Sequence, residues 1–353
     1  MKNNLTEKDI ENLNKWAEKY DIEELKIKDK EKIFNLEELH ITSHNLTELP
    51  KEIGILTNLK SLDIRTNNLT KLPKKIGNLI NLEELHITSH NLTELPKEIG
   101  ILTNLKSLNI YCRRLKELSK EIFNLINLEE LHISSAILTE LLKEIGILTN
   151  LKILDIKCYN LKELPKEIGI LTNLKILDID CYNLKELPKE IFNLINLEEL
   201  YISSVSLTEL PKEIGILTNL KILNIGYNDL NELPKEIFNL INLEELHINS
   251  HNLTELPKEI GILTNLKSLY IDCYLNELPK EIFNLINLEK LRIISNNLEI
   301  SPDGIEKLIN LEKLYIDINI INKDFNFKSL PIEEIGKLNN LKEFDISIRK
   351  WEK

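Results

Sequence analysis

The chain's seven histidines and several of its aspartates fall on a regular lattice, and zinc binding or acid–base catalysis is the chemistry such a lattice invites. His40, Asp63, His86, Asn109, His132, Asp155 and Asp178 follow one another at intervals of 23 residues. Histidines flanking an aspartate on neighbouring strands have the donor set of a zinc site, or of a base with its orienting carboxylate. All the histidines, however, occupy just two positions of near-identical copies, which is the distribution that duplication alone produces. No glycine-rich phosphate loop, HExxH, GxSxG or Ser-His-Asp grouping stands apart from the copies. The reading is that the chain is not an enzyme and holds no catalytic residue, metal ligand or cofactor. A metal-dependent enzyme working through the His and Asp row is the weaker alternative.

The four cysteines, Cys112, Cys158, Cys181 and Cys273, all take the eighth position of their copies. Cys158 and Cys181 are equivalent residues of adjacent copies, where strand spacing brings alpha carbons within disulfide reach. Parallel side-chain directions and an intracellular setting argue instead for thiols, and no CxxC pair points to a metal. Lys and Arg number 45 against 57 Asp and Glu, a net charge of -12, and the signs alternate along the chain. Phosphate recognition needs a basic patch or stripe, so nucleic acid is excluded as the partner.

These residues are positioned by a repeat. The segment Leu36 to Asn58, LEELHITSHNLTELPKEIGILTN, returns every 23 residues, with copies opening at Leu36, Leu59 and so on to Leu266, then at Leu288, Leu311 and Leu341. A truncated copy opens at Ile22. The Leu266 copy is one residue short, just after Tyr274, and the Leu311 copy is seven longer, around Lys323, Asp324, Phe325, Asn326 and Phe327. A unit of this size cannot bury its own apolar face and must stack on its neighbours, so 353 residues make one array rather than several globular domains. Positions 1, 4 and 6 (Leu36, Leu39, Ile41) alternate with polar residues as a strand buried on one face. Leu46, Leu49, Ile53 and Leu56 carry the apolar set through the returning arm, where Pro50 opens a single helical or 3-10 turn. Asn58 and its equivalents precede nearly every strand and are read as hydrogen-bonding the turn backbone. Residues 1–21 form an amino-terminal helical cap, with Thr6 as N-cap, Ile10, Leu13, Ala17 and Tyr20 at helical spacing and Trp16 as a packing anchor. Residues 22–353 form the array, with an insertion near 320–330. Phe344, Ile346, Ile348 and Trp351 point to a final strand whose edge is either shielded by the Phe325 to Phe327 segment or open.

The run LxxLxIxxxxLTELPxEIGxLxNL resembles the 23-residue leucine-rich repeats of bacterial proteins and of the plant and animal Ras-group proteins, from about Ile22 to Ile348. The resemblance implies an α/β repeat fold: a curved right-handed solenoid with a parallel sheet on its concave face, short helical or 3-10 turns on the convex side, and a role in protein recognition. One position departs from that pattern. Position 9, ordinarily an asparagine that bridges adjacent turns, reads His44, Arg113, Ala136, Tyr159 and Tyr182 among others. Either these side chains turn outward while the Ser or Cys at position 8 and the Asn at position 10 bond the turn, or the turn itself differs.

Function belongs on the outward strand positions 2, 3, 5 and 7. At position 2, Glu37, Lys60, Glu83 and Lys106 begin an alternation of sign that pairs neighbouring strands and fixes register. At position 3 the middle copies carry Ile153, Ile176 and Ile222, with Tyr201 at position 5 between the last two and Asp155 and Asp178 beside them. Exposed apolar and aromatic residues inside a polar rim have the character of an interaction patch, although isoleucine also simply suits a strand. The expected function is a non-catalytic scaffold that binds a protein or peptide on the concave face through Ile153, Asp155, Ile176, Asp178, Tyr201 and Ile222. A glycan- or lipopolysaccharide-binding module using the Tyr, His and Asp rows is the alternative. The opening MKNNLTEKDIENLNKW has no apolar run fit for a signal peptide and no segment is apolar enough to span a membrane, so a cytoplasmic monomer acting in signal transduction is expected, with secretion by a route independent of a signal peptide left open. If the cysteines are thiols, denatured and unreduced protein labels at all four; fewer than four labels refutes the assignment.

Overall fold

The computed structural model describes residues 6–27, 29–296, 298, 300, 304–320 and 332–350. The segment around Phe325 to Phe327 and Trp351 lie outside the described residues. The chain divides into two compact units, Met1–Leu174 and Lys175–Lys353. In the first, β1 (Glu38–Thr42), β2 (Ser61–Arg65), β3 (Glu84–Ser89), β4 (Ser107–Cys112), β5 (Glu130–Ser135) and β6 (Ile153–Cys158) pair in sequence order, all parallel. The second continues the pattern with β7 (Ile176–Asp180), β8 (Glu199–Ser203), β9 (Ile222–Asn228), β10 (Glu245–Ser250), β11 (Ser268–Cys273), β12 (Lys290–Asn296), β13 (Lys313–Ile320) and β14 (Glu343–Lys350).

The copy opening at Leu82 shows why the sequence folds this way. Leu82, Leu85, Ile87, Leu92, Leu95, Ile99 and Leu102 are all at most 5% exposed. The strand residues stack in register on their equivalents, Leu62 on Leu85 on Leu108, so identical side chains form continuous buried columns. Pro96 then holds an extended conformation from which a 3-10 turn, Lys97–Ile101, brings the chain back, its Ile99 and Leu102 amides donating to the Pro96 and Ile99 carbonyls at 3.0 Å.

Two polar ladders satisfy the backbone between coils. Before each strand, the asparagine at position 23 donates its amide to a carbonyl of the preceding coil: Asn104 to Ile80 at 2.8 Å, Asn127 to Thr103 at 2.8 Å, Asn242 to Thr218 at 2.8 Å. After each strand the inward residue is the one at position 8. Ser89, Ser135 and Ser250 are no more than 2% exposed, and each donates to the carbonyl of the previous coil's leucine at 2.8 Å. Cys112, Cys158 and Cys273 occupy the same slot, each Sγ 3.9 Å from a carbonyl of the previous strand. Position 9 therefore turns outward, with His44, Arg113, Tyr159 and Tyr182 exposed, as the first of the two sequence alternatives has it.

The Leu220 copy does this differently. A bulge at the end of β9 turns Tyr227 out with φ 53°, 69% exposed, and shifts the register so that Asn228 faces Ser250. Asn228 is buried, accepts from the Ser204 amide at 2.8 Å and donates to the Ile202 and Gly226 carbonyls at 3.0 Å. Asparagine reaches further than serine, so the bulge is what lets it occupy the inward slot.

The turns come in two kinds. A Cβ on Gly100 would lie 2.2 Å from the Glu121 carbonyl oxygen, so glycine turns approach the next coil more closely than any other residue permits. Phe123, Phe192, Phe238 and Phe283 hold the equivalent position in the other copies, where the ring fills the interior at no more than 2% exposure.

The amino-terminal end is covered. Helix α1 (Glu7–Tyr20) opens on a capping box between Thr6 and Asp9 and buries Ile10, Leu13 and Ala17, while Trp16 donates its indole to the Glu48 carbonyl at 3.4 Å. The truncated copy at Ile22 forms a 3-10 turn, Glu23–Leu25, and the short helix α2 (Lys30–Phe34).

The position 8 ladder has a measurable consequence. Ser135 also accepts from the Ile137 and Leu138 amides, both at 3.1 Å. Ser135→Ala should lower stability by about 1–3 kcal/mol, the cost of stranding buried partners. Ser135→Cys, which copies the solution used at Cys112 and Cys158, should lose clearly less. Urea unfolding of the two variants checks the order.

Candidate functional site

On the outward face the position 2 charges pair as a ladder. Lys106 meets Glu83 at 2.6 Å and Lys152 meets Glu129 at 2.6 Å in the first unit; Lys267 meets Glu244 at 2.6 Å and Lys342 meets Glu312 at 2.7 Å in the second. Where the alternation of copies breaks, Glu198 receives two lysines, Lys221 at 2.7 Å and Lys175 at 2.9 Å. Their hydrogen bonds, Lys221 first, push its carboxyl down to about 2. A trough of about 720 Å³ runs beside this row, lined by such charges and by ladder asparagines including Asn242 and Asn265.

The histidine and aspartate row resolves into separate local contacts. Asp63 lies 3.0 Å from Arg65 and 3.7 Å from His40. His86 instead contacts the Thr88 hydroxyl at 3.1 Å and the Tyr111 ring, and burial lowers its pKa. Asp155 is buried between His132 Nδ1 at 3.2 Å and Lys157 at 2.9 Å, and these partners outweigh its desolvation, so its pKa is lowered. Among the described residues no three His, Cys, Asp or Glu side chains converge. The four cysteines are buried thiols. Burial pushes Cys112, Cys158 and Cys273 up to about 12.

The residues named from sequence fall in both units. Ile153 is half-buried on β6, beside the buried Asp155. On the second unit, Ile176 and Ile222 are also half-buried and stand on either side of Glu199, two strands apart and so roughly 10 Å from each other. Tyr201 lies between Asp178 and Asn224 in register and donates its hydroxyl to Glu199 at 2.8 Å; burial first, and then this bond, raises its pKa. The two isoleucines are thus not one contiguous patch: Glu199, bonded to the tyrosine, divides them.

A denser cluster sits further along the second unit. The His247 and Tyr270 rings meet edge to face at 4.1 Å, and the Arg292 guanidinium lies 5.3 Å from the Tyr270 ring. Next to them Asn249 donates to Asp272 at 3.0 Å, and burial raises the Asp272 pKa. His247 Nε2 is buried without a hydrogen-bond partner, and its pKa is lowered by burial and then by Arg292. The sequence carried a signal for this cluster: Tyr201, Tyr270, Arg292 and Tyr315 replace the His, Asp and Asn found at position 5 elsewhere. A second feature has no counterpart in the sequence reading. The most exposed aliphatic side chains lie on the turn side, one per coil, as Ile101, Ile126, Ile147 and Ile170 in the first unit and Ile195, Ile216, Ile241 and Ile262 in the second, each about half exposed.

A family model for the leucine-rich repeat region matches residues 12–141, 139–207 and 236–353. The chain belongs to the leucine-rich repeat family. Among solved structures it is similar to a leucine-rich repeat protein of Leptospira interrogans, with 34% identity over 89% of this chain and 91% of that one and a TM-score of 0.60. An internalin of Listeria monocytogenes shares the fold at 18% identity, over 98% and 89% of the two chains, with a TM-score of 0.64. The Drosophila Toll–Spatzle complex matches at 22% identity over 89% of this chain and 47% of that one, with a TM-score of 0.63. No curated protein matches the chain significantly. Among the described residues no helix is long and apolar enough to cross a membrane.

The doubly paired Glu198 titrates in a defined window. Its folded pKa is depressed from 4.5 to about 2, so the pairing stabilises fully above the ordinary glutamate value and fades as pH falls from there toward 2. Carboxyl-carbon NMR should place its midpoint near 2, and Lys221→Met should raise it. A midpoint unchanged by that substitution removes the pairing as its cause.

Proposed function

We propose that the protein is a non-catalytic recognition scaffold and that a protein or peptide docks on the outward strand face of the second unit. The observation that carries this reading is the change at position 5, where Tyr201, Tyr270, Arg292 and Tyr315 project from β8, β11, β12 and β13. Tyrosine and arginine concentrate binding energy because each combines a large apolar body with a directional polar end. The paired lysines and glutamates of position 2 then serve as a hydrated rim that orients more than it attracts. The family fits the reading, and the Toll–Spatzle complex is one instance of a leucine-rich repeat protein holding a protein partner. Ile176, Asp178 and Ile222 flank the anchor in this reading. Four buried thiols support a reducing compartment for the scaffold.

A glycan is the second reading, favoured by one observation. His251 and Tyr274 stack at 4.8 Å with 10° between ring planes, and Tyr274 is exposed, which makes a flat platform of the kind sugars stack on. Glycan-array binding abolished by Tyr274→Ala would move the assignment there.

Affinity capture from the source organism, followed by binding measurements on the recovered partner, tests the scaffold. Tyr201→Ala should weaken binding by roughly 2 kcal/mol or more. Lys60→Ala on the first unit and Ile216→Ala on the turn side should do little, with all three variants keeping wild-type circular dichroism. Wild-type affinity in Tyr201→Ala together with loss in Ile216→Ala would reassign the interface to the turns.

A further inference from the structure

The carboxyl-terminal strand of the second unit is finished differently from the coils before it. Phe344, Ile346 and Ile348 stand in register with Leu314, Ile316 and Ile318 of β13, which are at most 2% exposed. Phe344 is 48% exposed, and Ile346 and Ile348 are only half-buried. At the start of the first unit, by contrast, Leu39 and Ile41 of β1 are fully buried. Among the described residues no strand pairs with the far edge of β14, so a row of backbone donors and acceptors lies beside core-type side chains. A solenoid needs such an end covered.

The residues along β14 say what fits there. Glu343, Asp345, Ser347 and Arg349 alternate with the apolar three, acidic at the beginning and basic at the end. A second copy of this strand, related by a two-fold axis through Ile346, runs antiparallel and brings same-face residues opposite one another. Phe344 then faces Ile348, Ile346 faces itself, Asp345 faces Ser347 and Glu343 faces Arg349. Glu343 and Arg349 thus join opposite charges on either side of the axis, the three apolar residues close over one another, and only Lys350 at the strand's last position falls opposite a like charge, Lys342. In the single chain Glu343 contacts Lys313 at 2.5 Å and Arg349 contacts Asp317 at 3.1 Å, both partners on β13, so each charge is shared between β13 on one side and its counterpart on the second copy on the other. A parallel edge or an unrelated apolar segment would not use the reversal of sign along the strand. We propose that the free edge of β14 is an isologous interface, and that the protein pairs with a second copy of itself through antiparallel β14 strands. The monomer expected from sequence is replaced in this proposal by a two-fold dimer.

Sedimentation equilibrium of the full chain over a wide concentration range, with two charge variants, tests this. Wild type should move from 41.1 kDa toward twice that mass. Glu343→Arg places arginine opposite Arg349, and Arg349→Glu places glutamate opposite Glu343, so each variant alone should stay monomeric. Mixed together they restore two attractive pairs and should form the heterodimer, which also shows that both are folded at this edge. Wild type remaining at 41.1 kDa at every concentration overturns the proposal, whether the edge is covered by the chain's own residues or by a different partner. Variants that dimerise alone as wild type does, or that fail to combine when mixed, overturn it equally.

Discussion

Each coil can bury its leucines only if the backbone that turns around them keeps its hydrogen bonds, and the side chains that satisfy it come from the next coil. A turn folded over an apolar interior leaves carbonyls facing inward, at a cost comparable to a lost hydrogen bond each. The asparagine before the strand and the hydroxyl after it answer those carbonyls on either side of the sheet. Neither bond exists within one copy, since the donor belongs to one coil and the acceptor to the coil before it. The polar ladders therefore make stacking cooperative in the same direction as the leucine columns do, and no coil has a complete set of partners alone.

The inward slot after the strand shows how narrow that requirement is. Serine and threonine fill it and bond a carbonyl, cysteine fills it with a weak donor at 3.9 Å, and asparagine enters it only where β9 bulges. Small size and one donor mark the slot from Thr66 to Ser295, apart from the bulged copy, and Ile318 fills it as part of the core in the Leu311 copy. This accounts for four cysteines at a single repeat position, and burial in that slot pushes Cys112, Cys158 and Cys273 up to about 12. The glycine and phenylalanine turns are the same kind of constraint on the opposite side. Close approach at Gly100 and a filled gap at Phe123 are two ways to leave no void between coils.

The period of 23 made the strands, the 3-10 turns and the asparagine ladder legible, because each is a local pattern repeated many times, while the amino-terminal helix showed in its own apolar spacing and its Thr6 cap. The copy that is one residue short is absorbed in its turn, with Ser268 still facing Lys290. What a local pattern does not fix is which of two adjacent residues points inward at the strand's end. Positions 8 and 9 are both polar in most copies, and only the depth available between coils assigns position 8 to the interior. Exposure was similarly hidden. Ile153, Ile176 and Ile222 take outward positions yet are half-buried by their neighbours, while isoleucines of the turns, which read as ordinary apolar residues, are the exposed ones. The Tyr270, His247 and Arg292 cluster stood in the sequence as a departure from the His and Asp alternation, and its meaning lies in contacts across three strands that no single copy contains.

Variation is tolerated where the stacking does not need a particular side chain. Position 2 is occupied by charges that neutralise their neighbours, position 8 by the ladder, and positions 4 and 6 by the core, which leaves positions 3, 5 and 7 free to diverge. In the first unit it keeps histidine, aspartate and asparagine, held in short contacts such as His132 with Asp155. In the second unit it gains tyrosine and arginine, whose rings and guanidinium pack on one another and leave His247 Nε2 without a partner. A buried imidazole nitrogen without a partner costs stability and does nothing for stacking. That position 5 of the second unit diverges toward residue types that bind is the physical ground for proposing recognition on that face rather than on the uniform stripe of turn isoleucines, which duplication reproduces coil after coil.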